Sequence, residues 1–294
     1  MAYEHRQDWN FALFSANLHQ YLPDMHWGVH DLVYEVWKTV HQPKKIQPDE
    51  TWDTACLSDL KQASPRIICL YHLGMHAQLP KVLADAGISF DLLLDRRVFE
   101  NQKAQLLAVQ SDLQSQGSGY RFLMSDDPQV LLKARQSIRQ GRHLLVFADG
   151  NSGTGESLDK KVCIKFMDGN FYARAGIAWL SYILHIPVLP ISHSEMKPGY
   201  RLLLGTEIAP FLNEHRSEYA QRCLFELYDF LAAQIRKSPW QWACWGYLHQ
   251  LNCYLVPPMP SKDEQPPADE SLIDISLMGK KGVFSRKYFY CVFG

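Results

Sequence analysis

Arg66-Ile67-Ile68-Cys69-Leu70-Tyr71-His72-Leu73-Gly74-Met75-His76-Ala77 is the stretch that decides the fold. Its first half is an apolar run of strand length; His72 then leaves that run and enters a helix whose first turn includes Pro80, a position where proline is tolerated. A histidine at such a junction is where an α/β fold holds a catalytic base. A second segment, Phe147-Ala148-Asp149-Gly150-Asn151-Ser152-Gly153, follows another apolar run in the same way. Further outward, strand-like runs at Arg66 to Tyr71, Phe90 to Leu94, Tyr120 to Met124, His143 to Ala148, Val162 to Phe166, Val188 to Ser192 and Arg201 to Leu204 alternate with helical patterns near 76–86, 99–116, 127–140 and 171–185. The alternation predicts an α/β fold, with a mostly parallel central sheet flanked by helices. A long helix from about Asn213 to Arg236 covers the sheet, and Pro239 interrupts it.

With 294 residues, 47% of them hydrophobic, the chain can bury a substantial core. Residues 1–45 read as two amphipathic helices, carrying Trp9, Phe11, Phe14, Leu18, Val29, Val33 and Trp37 at helical spacing. They either pack on the core or touch a membrane surface, and the scarcity of Lys and Arg before Lys38 favours packing. Residues 46–256 form the α/β domain, and 257–294 a proline-rich linker and carboxy-terminal tail. The end, from Gly282 to Phe293, alternates imperfectly and reads as an edge strand or a partner-binding segment. Trp240, Trp242, Trp245 and Tyr247 supply either a core layer or the wall of an apolar pocket. Lys plus Arg number 30 against 31 Asp plus Glu, a net charge of −1, so no general field attracts nucleic acid. Seven cysteines without a C-x-x-C pair point to reduced thiols and a cytoplasmic setting. The absence of a long apolar run and of a signal-peptide core leaves peripheral contact with the inner membrane as the membrane option.

His72 has the chemistry of a general base, since an imidazole titrates near neutrality. Asp149 ends a neighbouring strand, so a parallel sheet brings it toward His72 at the carboxyl edge. His76 shares a helix face with His72 at i, i+4 spacing; such a pair can ligate zinc, but no His-Glu-x-x-His pattern accompanies it. The run from Asp149 to Glu156 lacks the Gly-Lys-Ser/Thr ending of a phosphate loop, and no Gly-x-Ser-x-Gly elbow is present.

These blocks resemble the lysophospholipid acyltransferase superfamily, and within it the lauroyl and myristoyl acyltransferases of bacterial lipid A biosynthesis. Those enzymes carry His-Phe-Gly-Asn-Trp-Glu where this chain has His72-Leu73-Gly74-Met75-His76-Ala77. Phe147-Ala148-Asp149-Gly150-Asn151 is similar to the superfamily's Phe-Pro-Glu-Gly-Thr block, and Ile186-Pro187-Val188-Leu189-Pro190 to its Val-Pro-x-x-Pro block. The stretch from Cys163 to Ala178 resembles a Phe-Phe-Gly, small-residue and Gly-x-Ala pattern, and Ile235-Arg236-Lys237-Ser238-Pro239-Trp240-Gln241-Trp242 an Ile-Arg-x-x-Pro-x-Gln-Trp signature. The blocks follow the family's order over about residues 66–250.

The resemblance implies an acyltransferase in which His72 deprotonates a hydroxyl or amine acceptor. The acceptor then attacks a fatty acyl thioester on acyl carrier protein, through its phosphopantetheine, or on coenzyme A. No metal, tightly bound cofactor or covalent enzyme intermediate is needed in that scheme. Gly150 and Asn151, with Asp149, fall in a block that binds the acceptor's polar groups; Asp95 and Arg96 fall in one that contacts a phosphate or polar head, or else form an exposed charged turn. Lys165 and Arg174 either contact the phosphopantetheine or an acceptor anion, or are solvated charges. Ala77 stands where the family has its acidic partner, and Asp149 either fills that role or, with the rest of its block, binds the acceptor's polar groups. The amino-terminal anchor and the His-Arg pair of the lipid A enzymes are missing, which turns the expectation toward another acceptor, such as a specialised metabolite. Two alternatives stay open: a degenerate member that binds acyl chains or a carrier protein without catalysis, and a metal-dependent enzyme using His72 and His76.

Overall fold

Ile67, Ile68, Cys69 and Leu70 are all buried, as a strand interior to a parallel sheet must be on both of its faces. The structure is a computed structural model that describes residues 8–42, 51–115, 120–150, 161–251 and 270–293; the proline-rich linker lies outside the described residues. In chain order, α1 (Trp9–Tyr21) and α2 (Trp27–Val40) precede the short strand β1 (Trp52–Asp53) and then β2 (Ile67–Leu70). A 3-10 turn, His76–Gln78, leads into α3 (Leu79–Asp85), followed by β3 (Phe90–Leu94), α4 (Arg96–Ser115), β4 (Arg121–Met124), α5 (Val130–Arg139) and β5 (His143–Phe147). Then come β6 (Lys161–Phe166), β7 (Gly169–Arg174), α6 (Gly176–Leu184), β8 (Val188–Glu195), β9 (Tyr200–Leu204) and α7 (Arg216–Lys237). The chain ends with α8 (Leu248–Leu251), β10 (Leu272–Leu277), β11 (Lys280–Ser285) and β12 (Tyr290–Phe293).

The central sheet has seven strands in the order β1-β9-β8-β2-β5-β3-β4. All neighbours in it run parallel except β8 and β9, which form an antiparallel hairpin. The protein is thus α/β with a mostly parallel sheet. The carboxyl ends of β2, β5, β3 and β4 share one edge, and a ligand site in such a sheet lies outside that edge. One core layer joins Ile68 and Leu70 of β2, Leu145 of β5 and Leu189 and Ile191 of β8 to Leu79 and Leu83 of α3. At the opposite end of β3 the fully buried Asp91 accepts hydrogen bonds from Arg121 Nη2 (2.6 Å), Arg142 Nε (2.8 Å) and Ser137 Oγ (2.5 Å). Burial alone would raise its pKa, but these donors hold it below the usual carboxylate range.

Two of the sequence expectations change. The helix expected over 171–185 begins only at Gly176, because Gly169 to Arg174 is a strand whose Phe171 and Ala173 are buried while Asn170 is exposed. That period-two pattern follows Met167, which takes a positive φ of 49° between β6 and β7. The carboxy-terminal segment is a three-stranded antiparallel sheet, β10-β11-β12, rather than a lone edge strand. Met278 (φ 51°) and Gly279 (φ 78°) turn β10 into β11, the positive pair that a two-residue hairpin requires.

The chain divides into two compact units. One comprises residues 1–43, 165–172 and 235–294; the other comprises 44–164 and 173–234, and includes the seven-stranded sheet. In the first unit α1 buries Phe11, Phe14, Leu18 and Tyr21, and Phe14 packs on Tyr34 and Trp37 of α2 with ring centroids 5.0 and 5.2 Å away. Trp242 and Trp245 are fully buried there in edge-to-face contact at 4.7 Å, which makes these two core, while Trp240 and Tyr247 are half-buried. Leu32 and Val29 on α2 remain exposed. No helix among the described residues is long and apolar enough to cross a membrane.

Candidate functional site

β2 and β5 pair in parallel with Leu70 opposite Phe147, so continuing that register by two residues sets His72 level with Asp149. The side chains meet there. Asp149 has no exposed side-chain surface, and its Oδ1 accepts the His72 ring Nδ1–H at 2.8 Å. The same carboxylate accepts the His72 backbone N–H at 3.1 and 3.0 Å. A carboxylate can only accept, so neutral His72 carries its proton on Nδ1 and presents the Nε2 lone pair. Among the described residues no group bonds Nε2, and the side chain keeps 28% of its surface open. Burial disfavours the imidazolium, but the charge and hydrogen bond of Asp149 outweigh it and set the His72 pKa above its ordinary value.

The surroundings fix this pair. Phe147 lies 4.8 Å from the His72 ring, centroid to centroid. Gly150 lies against it: a Cβ there would stand 3.7 Å from His72 Cε1, in ordinary van der Waals contact. α7 ties both strand ends, since Tyr71 Oη donates to the Leu227 carbonyl at 2.8 Å and Tyr228 Oη to the Ala148 carbonyl at 3.2 Å.

After His72 the chain bends through Gly74, whose φ of 41° favours glycine, into the 3-10 turn. His76 sits edge-on to His72 at 5.1 Å and to Phe147 at 6.1 Å, with its Nδ1 3.2 Å from the Gly74 carbonyl. Ala77 is exposed on the same turn. Sequence reasoning missed His193. It is buried on β8, and its Nε2 accepts the Met75 N–H at 2.8 Å. The signal was an imidazole interrupting the apolar run of β8, which continues past Ser192 to Glu195.

His72, Asp149, Gly150 and His76 are therefore together, and Asn151 lies outside the described residues. Asp95 and Arg96 follow β3 at the same sheet edge; Asp95 Oδ1 accepts the Arg97 N–H at 2.8 Å, capping α4, and Arg96 pairs with Asp126 at 2.9 Å. No contact joins either to His72. Arg174 is half-buried at the end of β7. Lys165 belongs to the other unit, where its Nζ donates to the Asp168 carbonyl at 2.9 Å. His76 joins no group of three His, Cys, Asp or Glu ligands among the described residues.

No protein-family model matches the chain, and no curated protein is significantly similar to it.

Proposed function

We propose that this protein is an acyltransferase that moves an acyl group from a carrier-protein or coenzyme A thioester to a hydroxyl or amine, with His72 as general base and Asp149 as the acid that orients it. The observation that carries the reading is the His72–Asp149 pair, which engages Nδ1 and leaves Nε2 without a bonded group among the described residues. It supplies from a neighbouring strand the carboxylate that the resembling enzymes carry at the position of Ala77.

In the proposed reaction Nε2 removes the acceptor's proton as its oxygen or nitrogen attacks the thioester carbonyl carbon. The carbonyl electron pair moves to oxygen, giving a tetrahedral intermediate. As that pair returns, the carbon–sulfur bond breaks, and the departing thiolate takes the proton back from Nε2. Ester or amide and free thiol are the products. Throughout, Asp149 stabilises the transient imidazolium and keeps the ring from flipping.

The test is to incubate the purified protein with acyl carrier-protein and coenzyme A thioesters and hydroxyl or amine acceptors, following thiol release and acylated product by mass spectrometry. Transfer should be lost in His72→Ala. Wild-type protein that transfers to no acceptor, or a His72→Ala variant as active as wild type, overturns the reading. A second expected result concerns the missing acid. Ala77→Glu should leave kcat within about threefold of wild type, because Asp149 already occupies Nδ1 and one oriented carboxylate is all the dyad uses. A tenfold or larger gain, on the order of an added catalytic group, would mean that Asp149 does not act as the partner.

A further inference from the structure

We propose that His193 is a positioning residue, holding the peptide of Met75 so that the turn after His72 keeps the base in place. The inference rests on the acyltransfer reading for its catalytic consequence, but its structural half is measured separately below.

β8 pairs with β2 on the side away from β5, with Cys69 opposite Pro190. Three further residues along this register set His193 level with His72, so β2 ends between an aspartate on one neighbour and a histidine on the other. The two do different work. Asp149 takes the backbone N–H and ring of His72, whereas His193 reaches beyond the end of β2 and takes the Met75 N–H. The turn between these anchors is otherwise closed by its own bonds, His76 N–H to the Leu73 carbonyl (2.9 Å) and Leu73 N–H to the Tyr71 carbonyl (2.8 Å). His193 is thus a fixed point on the turn from outside it.

The His193 ring is itself held. It lies near-parallel to Trp52 of β1 and Tyr200 of β9, each 5.7 Å away at 20° and 17°, and those two rings stack on each other at 4.9 Å. Only 4% of its surface is exposed, and burial lowers its pKa, so it persists as the neutral acceptor that the Met75 amide needs. An acceptor offered by a buried aromatic ring on an interior strand of a sheet moves less than one on a loop, which is what placement of a base to within a fraction of an ångström calls for.

Two variants separate the roles of the ring. His193→Phe keeps an aromatic ring beside Trp52 and Tyr200 but removes the acceptor; His193→Gln puts an amide oxygen at nearly the reach of Nε2. In His193→Phe the Met75 amide should lose its protection from hydrogen exchange. The His72 imidazole, titrated by NMR, should move down toward its ordinary midpoint as its contact with Asp149 loosens. Its kcat for transfer should drop about 10- to 100-fold with KM little changed, the loss expected for a misplaced catalytic group. His193→Gln should restore protection, midpoint and most of kcat. Equal behaviour of the two variants, or an unchanged Met75 amide and His72 midpoint in His193→Phe, overturns the proposal. If wild-type protein transfers no acyl group, exchange and titration still decide whether His193 holds the turn, and only the acyltransfer reading fails.

Discussion

Replacing Asp149 by asparagine should lower kcat for acyl transfer by about 10³- to 10⁴-fold while leaving KM within a fewfold, the size of effect seen when an oriented histidine loses its carboxylate. The reason lies in which nitrogen holds the proton. An asparagine side chain can keep its carbonyl oxygen on the His72 backbone N–H, but its NH₂ then faces Nδ1. Nδ1 becomes an acceptor, the ring proton moves to Nε2, and the atom that must take a proton already carries one. The pH profile gives an independent check. In wild type the base must be neutral, so kcat/KM rises with pH through a midpoint above the ordinary histidine value, because Asp149 favours the imidazolium. Removing that charge should move the residual activity's midpoint downward. Asp149→Asn with kcat within about threefold of wild type, or with an unmoved midpoint, would detach Asp149 from the chemistry.

What the chain discloses before folding is uneven, and the reason is physical. Strand runs such as Ile67–Leu70 and Phe90–Leu94 are legible because both faces of an interior parallel strand are buried, and burial selects residue type along a short stretch. β7 is not legible: its alternation reads as the first turn of the helix that follows, and the tight turn at Met167 that folds it back on β6 rests on a positive φ that the sequence does not record. The meeting of His72 with Asp149 followed from both ending strands at one edge, an argument that needs direction but no register. His193 needed register as well as the true end of β8, neither of which a single sequence records. Asp91 shows the same limit, since its partners Arg121, Ser137 and Arg142 become neighbours only when β3, β4 and β5 align. The tryptophans were ambiguous between core and pocket for a different reason: apolar area is the same requirement in both places, and only burial of Trp242 and Trp245 tells them apart.

Acidification from about pH 7.5 to about pH 4.5 should cost the protein on the order of 2–3 kcal/mol at each of two buried histidines, His30 and His143. His30 Nε2–H points at the Met25 carbonyl (3.3 Å), so its Nδ1 accepts the Ser15 hydroxyl at 2.7 Å, and Ser15 Oγ in turn accepts from Arg286 Nη1 at 3.0 Å. That chain of donors runs in one direction only, and a second proton on the ring would meet a serine already facing a guanidinium. Burial first, and then Arg286, lower the His30 pKa to about 3. His143 Nδ1 accepts the Arg66 amide at 3.1 Å, and burial, followed by the Arg66 charge, lowers its pKa to about 4. Below the unfolded value of 6.5 the unfolded chain binds a proton at each position that the folded one refuses, so stability falls with pH down to these folded values. His72 opposes this trend: its raised pKa gives stability that is fully present below 6.5 and lost only as pH rises through the folded value. The combined loss, about 5 kcal/mol, is comparable with the whole stability of an ordinary domain. Urea midpoints across this range measure it, and His30→Gln and His143→Gln should each be weaker than wild type near neutrality yet each flatten the pH dependence by about 2–3 kcal/mol. Variants that keep the full wild-type slope would place the acid sensitivity elsewhere in the chain.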